Sequence, residues 1–394
     1  MNFIHNNIKS FKFNISEIAG SLGDMGIFIP LFVGLVTVCG LSPANILIFS
    51  GLFSVLSAML FGIPIAVQPM KAIAIIAIAE RLSPNQIFAA GLVTGFVVFL
   101  LGITNIISHL NKMIPKSVVR GLQLGLGLKL VITGIQMVAN TNTFFGYDSI
   151  SIGIISMLLV LVFLFSKRFP GALVVCGLGI ILVFLKSPHI FKELNIGFAV
   201  PRFIIPGKSD FIVGVMRASI AQIPLTLLNS VIAVCALSWD LFPKKGVNPR
   251  GIAISVGLMN LIGCWFGAMP MCHGAGGLAA QYRFGARTGG SVFLLGIVKI
   301  FVGLLFGAAC LKIFSAYPVS VLGILLLFAG FELAVVSRDM VSKTDFFVMF
   351  LTAATTLALK SIAIGFAIGL IFSYLFIFGI VKIEKLQNDM ENKI

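Results

Sequence analysis

Charge is what this sequence has least of. Acidic and basic residues fill 10 % of its 394 positions and hydrophobic residues 59 %, where soluble proteins carry about 25 % charged residues. A chain this poor in charge cannot cover an aqueous surface, so an ordinary soluble fold is excluded, and the mean hydropathy of +1.11 agrees. The six cysteines (39, 176, 235, 264, 272 and 310) include no pair at zinc-ligand or disulfide spacing and read as small apolar residues. Cys272-His273 has no third ligand nearby, so no metal is expected. There is no nucleophile–base pair and no nucleotide-binding loop. Their absence argues against an enzyme, against a cofactor, and against direct drive by a nucleotide. The net charge is +15, but no aromatic-interleaved basic domain exists to bind nucleic acid, so the excess is expected to mark membrane topology. The first apolar stretch has no small-residue cleavage site, and no removable signal peptide is expected.

What the chain does have is apolar runs long enough to cross a hydrocarbon layer of roughly 30 Å, repeated along its whole length. The expected fold is all-α and polytopic, with about fourteen transmembrane segments. A basic amphipathic lead covers 1–17. Spans one to seven fill 18–185, a Pro-containing linker covers 186–209, spans eight to fourteen fill 210–383, and a charged tail covers 384–394.

The second set restarts the first. Ile29-Pro30-Leu31 answers Ile223-Pro224-Leu225, Pro64 answers Pro270, and Pro115–Val119 answers Pro318–Leu322. An odd number of spans per half forces the second half to insert upside down, which predicts a seven-plus-seven inverted repeat. With the amino end in the cytoplasm, seventeen Lys and Arg fall inside and seven outside. That asymmetry predicts a cell-membrane protein with both termini cytoplasmic.

Two stretches break the apolar pattern at corresponding places: Phe61–Glu80 (FGIPIAVQPMKAIAIIAIAE) and Phe266–Gly290 (FGAMPMCHGAGGLAAQYRFGARTGG). Each is expected to be a broken helix, the first becoming helical near Pro69, which suits a first helical turn. A helix that starts in mid-membrane leaves its first N–H groups without partners and presents the positive end of its dipole. An anion is the natural occupant. Gly274, Gly276 and Gly277 would let backbone approach it. Two such ends facing each other would cradle a small tetrahedral dianion.

Side chains around these stretches divide by chemistry. Lys71 could balance the anion's charge or pair with Asp24. Asp24, an intramembrane carboxyl, could carry a proton. Gln68, Gln222 and Asn229 are neutral donors suited to oxyanion oxygens, and Gln222 could equally make an interhelical hydrogen bond. His273 would line the cavity or titrate there. Arg283 and Arg287 would anchor the cytoplasmic side or attract anions to a vestibule. Lys129, Arg217 and Lys299 have no assignment at this level.

AGSLGDMGIFIPL, GIPIAVQPMKAIAIIAIA, AQIPLTLLNSVIAVCALSWDLFP and FGAMPMCHGAGGLAAQYRFGARTGGS together resemble the molybdate transporter family, a relative of the sulfate permeases. The resemblance implies core and gate domains, a gate that can form a homodimer, and oxyanion uptake. It places substrate on Gln68, Pro69, Met70, Lys71 and Ala72 and on Gly274, Ala275, Gly276, Gly277 and Leu278. The chain stops soon after its last span, without the soluble domain usual in sulfate permeases, which favours the molybdate branch. Where those permeases often carry an acid in the eighth span, this chain offers Gln222, which shifts a proton role to Asp24. The expected activity is proton-coupled import of molybdate, with sulfate as a second substrate, by alternating access. The alternatives are a passive anion channel and a nucleobase carrier; neither broken-helix region has, at the expected place, the carboxylate a nucleobase carrier would use.

Overall fold

The structure is a computed structural model, describing residues 2–104, 106, 107, 114–163, 171–192, 198, 200–359 and 361–381. The charged tail expected at 384–394, and Lys112, Lys167 and Arg168 of the expected loops, lie outside the described residues.

In the first half the elements are α1 (Asn2–Lys9), α2 (Ile15–Leu22), α3 (Met25–Thr37), α4 (Pro43–Phe61), β1 (Val67–Pro69), α5 (Lys71–Glu80), α6 (Pro84–Thr104), α7 (Lys116–Ala139), α8 (Ile150–Phe163) and α9 (Gly171–Lys186). A short α10 (Pro188–Lys192) leads to the second half. There α11 (Lys208–Leu241) is followed by α12 (Pro249–Gly263), β2 (Met271–His273), α13 (Ala275–Arg283), α14 (Gly290–Ser315), α15 (Val319–Val335), α16 (Lys343–Ala358) and α17 (Ile362–Ile377).

Among the described residues, seven helices are long and apolar enough to cross a membrane, or eight if the bent pair α2–α3 counts as one span. The remaining expected spans are shorter apolar helices or the two broken segments. Chemistry sets many of the ends. Ser42 and Asn248 accept hydrogen bonds from first-turn amides of α4 and α12, each of which has Pro at its start. Gly62 ends α4 in a left-handed conformation (φ 67°) that favours glycine.

Two expectations need correction. The fold is not wholly helical: β1 and β2 pair as an antiparallel ribbon with Val67 opposite His273 and Pro69 opposite Met271. Pro69 therefore ends a strand, and α5 begins two residues later at Lys71. Span one is not continuous either. It bends by 43° between α2 and α3, and Asp24 stands at the break.

The helices pack as two groups. A ribbon bundle gathers α2–α6 and α11–α14 around the two strands; a flanking bundle gathers α7–α9 and α15–α17. In the flanking bundle α7 and α15 meet at glycines: a Cβ at Gly127 would stand 2.6 Å from the Gly330 carbonyl oxygen, and one at Gly330 2.5 Å from that of Gly127. Any side chain there would force the helices apart, and close backbone approach is how membrane helices gain packing energy. The bundles touch mainly where α3 meets α9 and α15, where α11 meets α17, and where α5 meets α7.

Candidate functional site

The ribbon is buried, and each strand gives way to a helix after one residue, Met70 before α5 and Gly274 before α13. Two helix starts thus sit deep in the protein. Both should leave amides unpaired, but their surroundings differ.

At the start of α5, Gln222 intervenes. Its Oε1 accepts from the Ala72 N–H at 2.9 Å and from the Ile73 N–H at 3.2 Å. Its Nε2 donates to Thr226 Oγ1 at 2.8 Å. The Met70 N–H is spent on the Pro270 carbonyl at 2.8 Å. Gln222 can reach because α11 is irregular there. Wide π-type turns at Val215–Ser219 and Thr226–Ile232 flank it, and Pro224 removes an amide between them. Of the two uses the sequence allowed for Gln222, the interhelical hydrogen bond is the one observed.

At the start of α13 nothing intervenes. Gly277 and Leu278 donate to the Gly274 carbonyl, while the N–H groups of Ala275 and Gly276 have no protein partner among the described residues. The ammonium of Lys71, from the first turn of α5, comes over this turn, 3.8 Å from where a Cβ on Gly276 would stand. No carboxylate forms an ion pair with Lys71 among the described residues. One helix start is capped, and the other carries two open donors beneath a cation.

This second start opens into a cavity of about 910 Å³ between the two bundles. Lys71, Asn229, Ala275 and Gly276 line it, with Glu332 of α15 on the opposite wall. It reaches the surface at Lys116, whose side chain is 61 % exposed. At that mouth Arg120 makes a two-pronged pair with Asp339 at 2.7–3.2 Å and donates to Gln123. A small side cavity holds Lys71, Gln222, Asn229, Ser230, Cys272 and Gly274.

Other residues singled out in the sequence stand behind this surface. Gln68 donates one Nε2 hydrogen to Asp24 Oδ1 and lines neither cavity. Gly277 makes room for that contact: a Cβ on it would lie 2.6 Å from Gln68 Nε2 and 2.9 Å from Asp24 Oδ1. His273 is buried with both ring nitrogens engaged, Nδ1 with the Ala66 carbonyl at 3.1 Å and Nε2 with Ser255 Oγ at 3.0 Å. Its position braces the ribbon and lies off the cavity. Met70, Ala72 and Leu278 are buried in the packing. Arg287 folds over the Tyr282 ring, 3.6 Å from its centroid.

Several participants escaped the sequence. Glu332 is one acid among apolar residues of α15, and no spacing ties it to Lys71. Cys272 and Ser230 reach the side cavity only through the ribbon and the π-type turn. Lys129 finds Glu80 at 2.6 Å, with Arg217 at 3.7 Å from the same carboxylate. This cluster ties the carboxyl end of α5 to α7, away from the cavity. Among the described residues no group of three metal-ligating side chains occurs.

Comparisons with known proteins show the family and the fold. The family described as "Molybdate transporter of MFS superfamily" matches residues 16–130 and 214–333. Molybdate transporter 2 of Arabidopsis thaliana is 43 % identical over 90 % of this chain and 86 % of its own length. Among solved structures, the murine anion transporter Slc26a9 superposes with a TM-score of 0.71 at 17 % identity, over 95 % of this chain and 70 % of that one. The transmembrane domain of the cyanobacterial bicarbonate transporter BicA gives 0.66 at 15 % identity, over 91 % and 98 %. These two likenesses establish the fold. By sequence, the chain belongs to the molybdate transporter family and is an anion transporter of the membrane.

Proposed function

We propose that this protein is a secondary active transporter that imports molybdate, with sulfate as a weaker substrate, and that the anion binds at the start of α13. The observation that carries this reading is the Lys71 ammonium over the unpartnered Ala275 and Gly276 amides, at the inner end of a surface-connected cavity. Amides fixed in place and a nearby cation replace the water a dianion must shed. Met70, Ala72, Gln68, His273, Gly277 and Leu278 hold the two helix starts in register around it.

The ribbon bundle then acts as the core and the flanking bundle as the gate of a seven-plus-seven inverted repeat. The cavity opens on one side; both termini and that mouth are assigned to the cytoplasm of a cell-membrane protein. On the other side core meets gate where Ile78 and Leu326 both crowd Gly34, and where Glu80 pairs with Lys129. A pathway closed at one end supports a carrier working by alternating access over a channel. Asp24 is the proton-coupling carboxyl: Asp24→Asn should abolish pH-driven uptake while sparing exchange. The gate is also the surface assigned to a homodimer.

The test is a binding titration of the purified protein with molybdate, tungstate, sulfate and uracil. Molybdate and tungstate should bind and compete, sulfate should bind more weakly, and uracil should not bind. Binding of uracil, or of no oxyanion, would overturn the assignment.

A further inference from the structure

Lys299 lies in mid-helix on α14, outside the cavity and 4 % exposed, and its ammonium has no hydrogen-bond partner among the described residues. An ammonium in a membrane interior is costly and marks function more often than packing. Its one polar contact is with an aromatic face: Nζ stands 3.7 Å from the centroid of Phe28. Phe28 is four residues after Asp24, so both lie on the same side of that helix. Asp24 is 1 % exposed; Gln68 satisfies Oδ1, but Oδ2 has no partner. Asp24 and Lys299 are thus two buried groups of opposite charge, each short of a partner and each the other's main electrostatic neighbour. Among the described residues the further titratable groups facing Asp24 are Lys71 of α5 and Cys272 of β2, and the one acting on Lys299 is Asp24.

We propose that Lys299 is the fixed counter-charge of Asp24, and that this pair, set directly behind the first turn of α13, fixes the net charge against which the dianion binds. Asp24 Oδ1 comes within 2.9 Å of where a Cβ on Gly277 would stand, on the same turn that offers the open amides. An ionised Asp24 without Lys299 would repel an anion there, and in a low-dielectric interior that repulsion is large. With the pair intact the background is neutral and Lys71 supplies the attraction. Protonating Asp24 leaves Lys299 uncompensated, adds one positive charge behind the pocket and tightens anion binding. This is how a proton entering with the substrate would be linked to it. Lys299 never touches the anion; it is a positioning charge.

The inference rests on the anion site proposed above, and a titration of full-length protein with molybdate at pH 6 and pH 8 separates the two. Wild-type protein should bind more tightly at pH 6. Lys299→Met should weaken binding about tenfold at pH 8, and less at pH 6. Asp24→Asn should bind at least as tightly as wild type at pH 8, with no dependence on pH. Asp24→Asn/Lys299→Met should return to within about threefold of wild type at pH 8. Wild-type affinity in Lys299→Met, or a double variant as weak as Lys299→Met, would overturn the pairing. If Lys299→Met does not fold, the Asp24→Asn arm decides: weakened or still pH-dependent binding overturns it. Failure of wild-type protein to bind any oxyanion would instead sink the anion site.

Discussion

The two helix starts at the ribbon come from corresponding places in the two halves of the chain, yet they have become opposites. The start of α5 gives its Ala72 and Ile73 amides to Gln222 and contributes a cation, Lys71. The start of α13 keeps its Ala275 and Gly276 amides open and contributes no charge. A symmetric cradle would have placed four or more donors around a small ion with no net charge to hold it. The observed division puts the cation at one helix start and the open donors at the other, so the anion proposed here would need both. In the proposed site one side chain on α11, Gln222, turns one of the two helix starts into a support.

Substitutions at five positions test that contrast, taken in order of expected effect. Lys71→Met removes the cation and should cost about a hundredfold or more in molybdate affinity; Lys71→Arg should recover part of it, read by titration. Gly276→Ala puts a methyl into the space beneath Lys71, where nothing lies closer than 3.5 Å. It should weaken binding about tenfold without lowering the melting temperature. Gly277→Ala differs, since its methyl would collide with Gln68, Ala66 and Asp24; it should destabilise the fold by about 1–3 kcal/mol, measured by thermal unfolding.

Gln222→Leu tests the capped end. It strands two buried amides and should lower stability by about 1–3 kcal/mol, while molybdate affinity stays within about threefold. A large loss of affinity would mean that Gln222 touches the ion. Glu332→Gln removes the one acid on the far wall and should tighten binding about threefold at low salt, the gain fading as salt screens it. Lys71 and Glu332 share no ion pair, so the effect should be the smallest of the set.

Much of this architecture is legible in the residues. Apolar run length is enough to mark α4, α6, α7, α11, α12, α14 and α15 as helices of membrane length. The matching breaks near Pro64 and Pro270 locate the ribbon and its two helix starts, and Lys71, Asn229, Ala275 and Gly276 line the cavity. The strands were not legible, because three residues carry no period and their pairing spans about two hundred positions. The fates of Gln68, Gln222 and His273 were not legible either. A polar residue near a pocket can serve a ligand or the backbone, and the choice turns on partners such as Asp24, Ala72 and Ser255 that lie far off in sequence. Lys129 and Lys299 had no meaning until folding brought Glu80 and Asp24 to them.

The central claim concerns which helix start holds the ion, and a structure of the purified protein with molybdate bound tests it most directly. The account predicts molybdate oxygens on the Ala275 and Gly276 amides and the Lys71 ammonium, with Gln222 still capping α5. Molybdate found instead on the Ala72 and Ile73 amides, with Gln222 displaced, would contradict it.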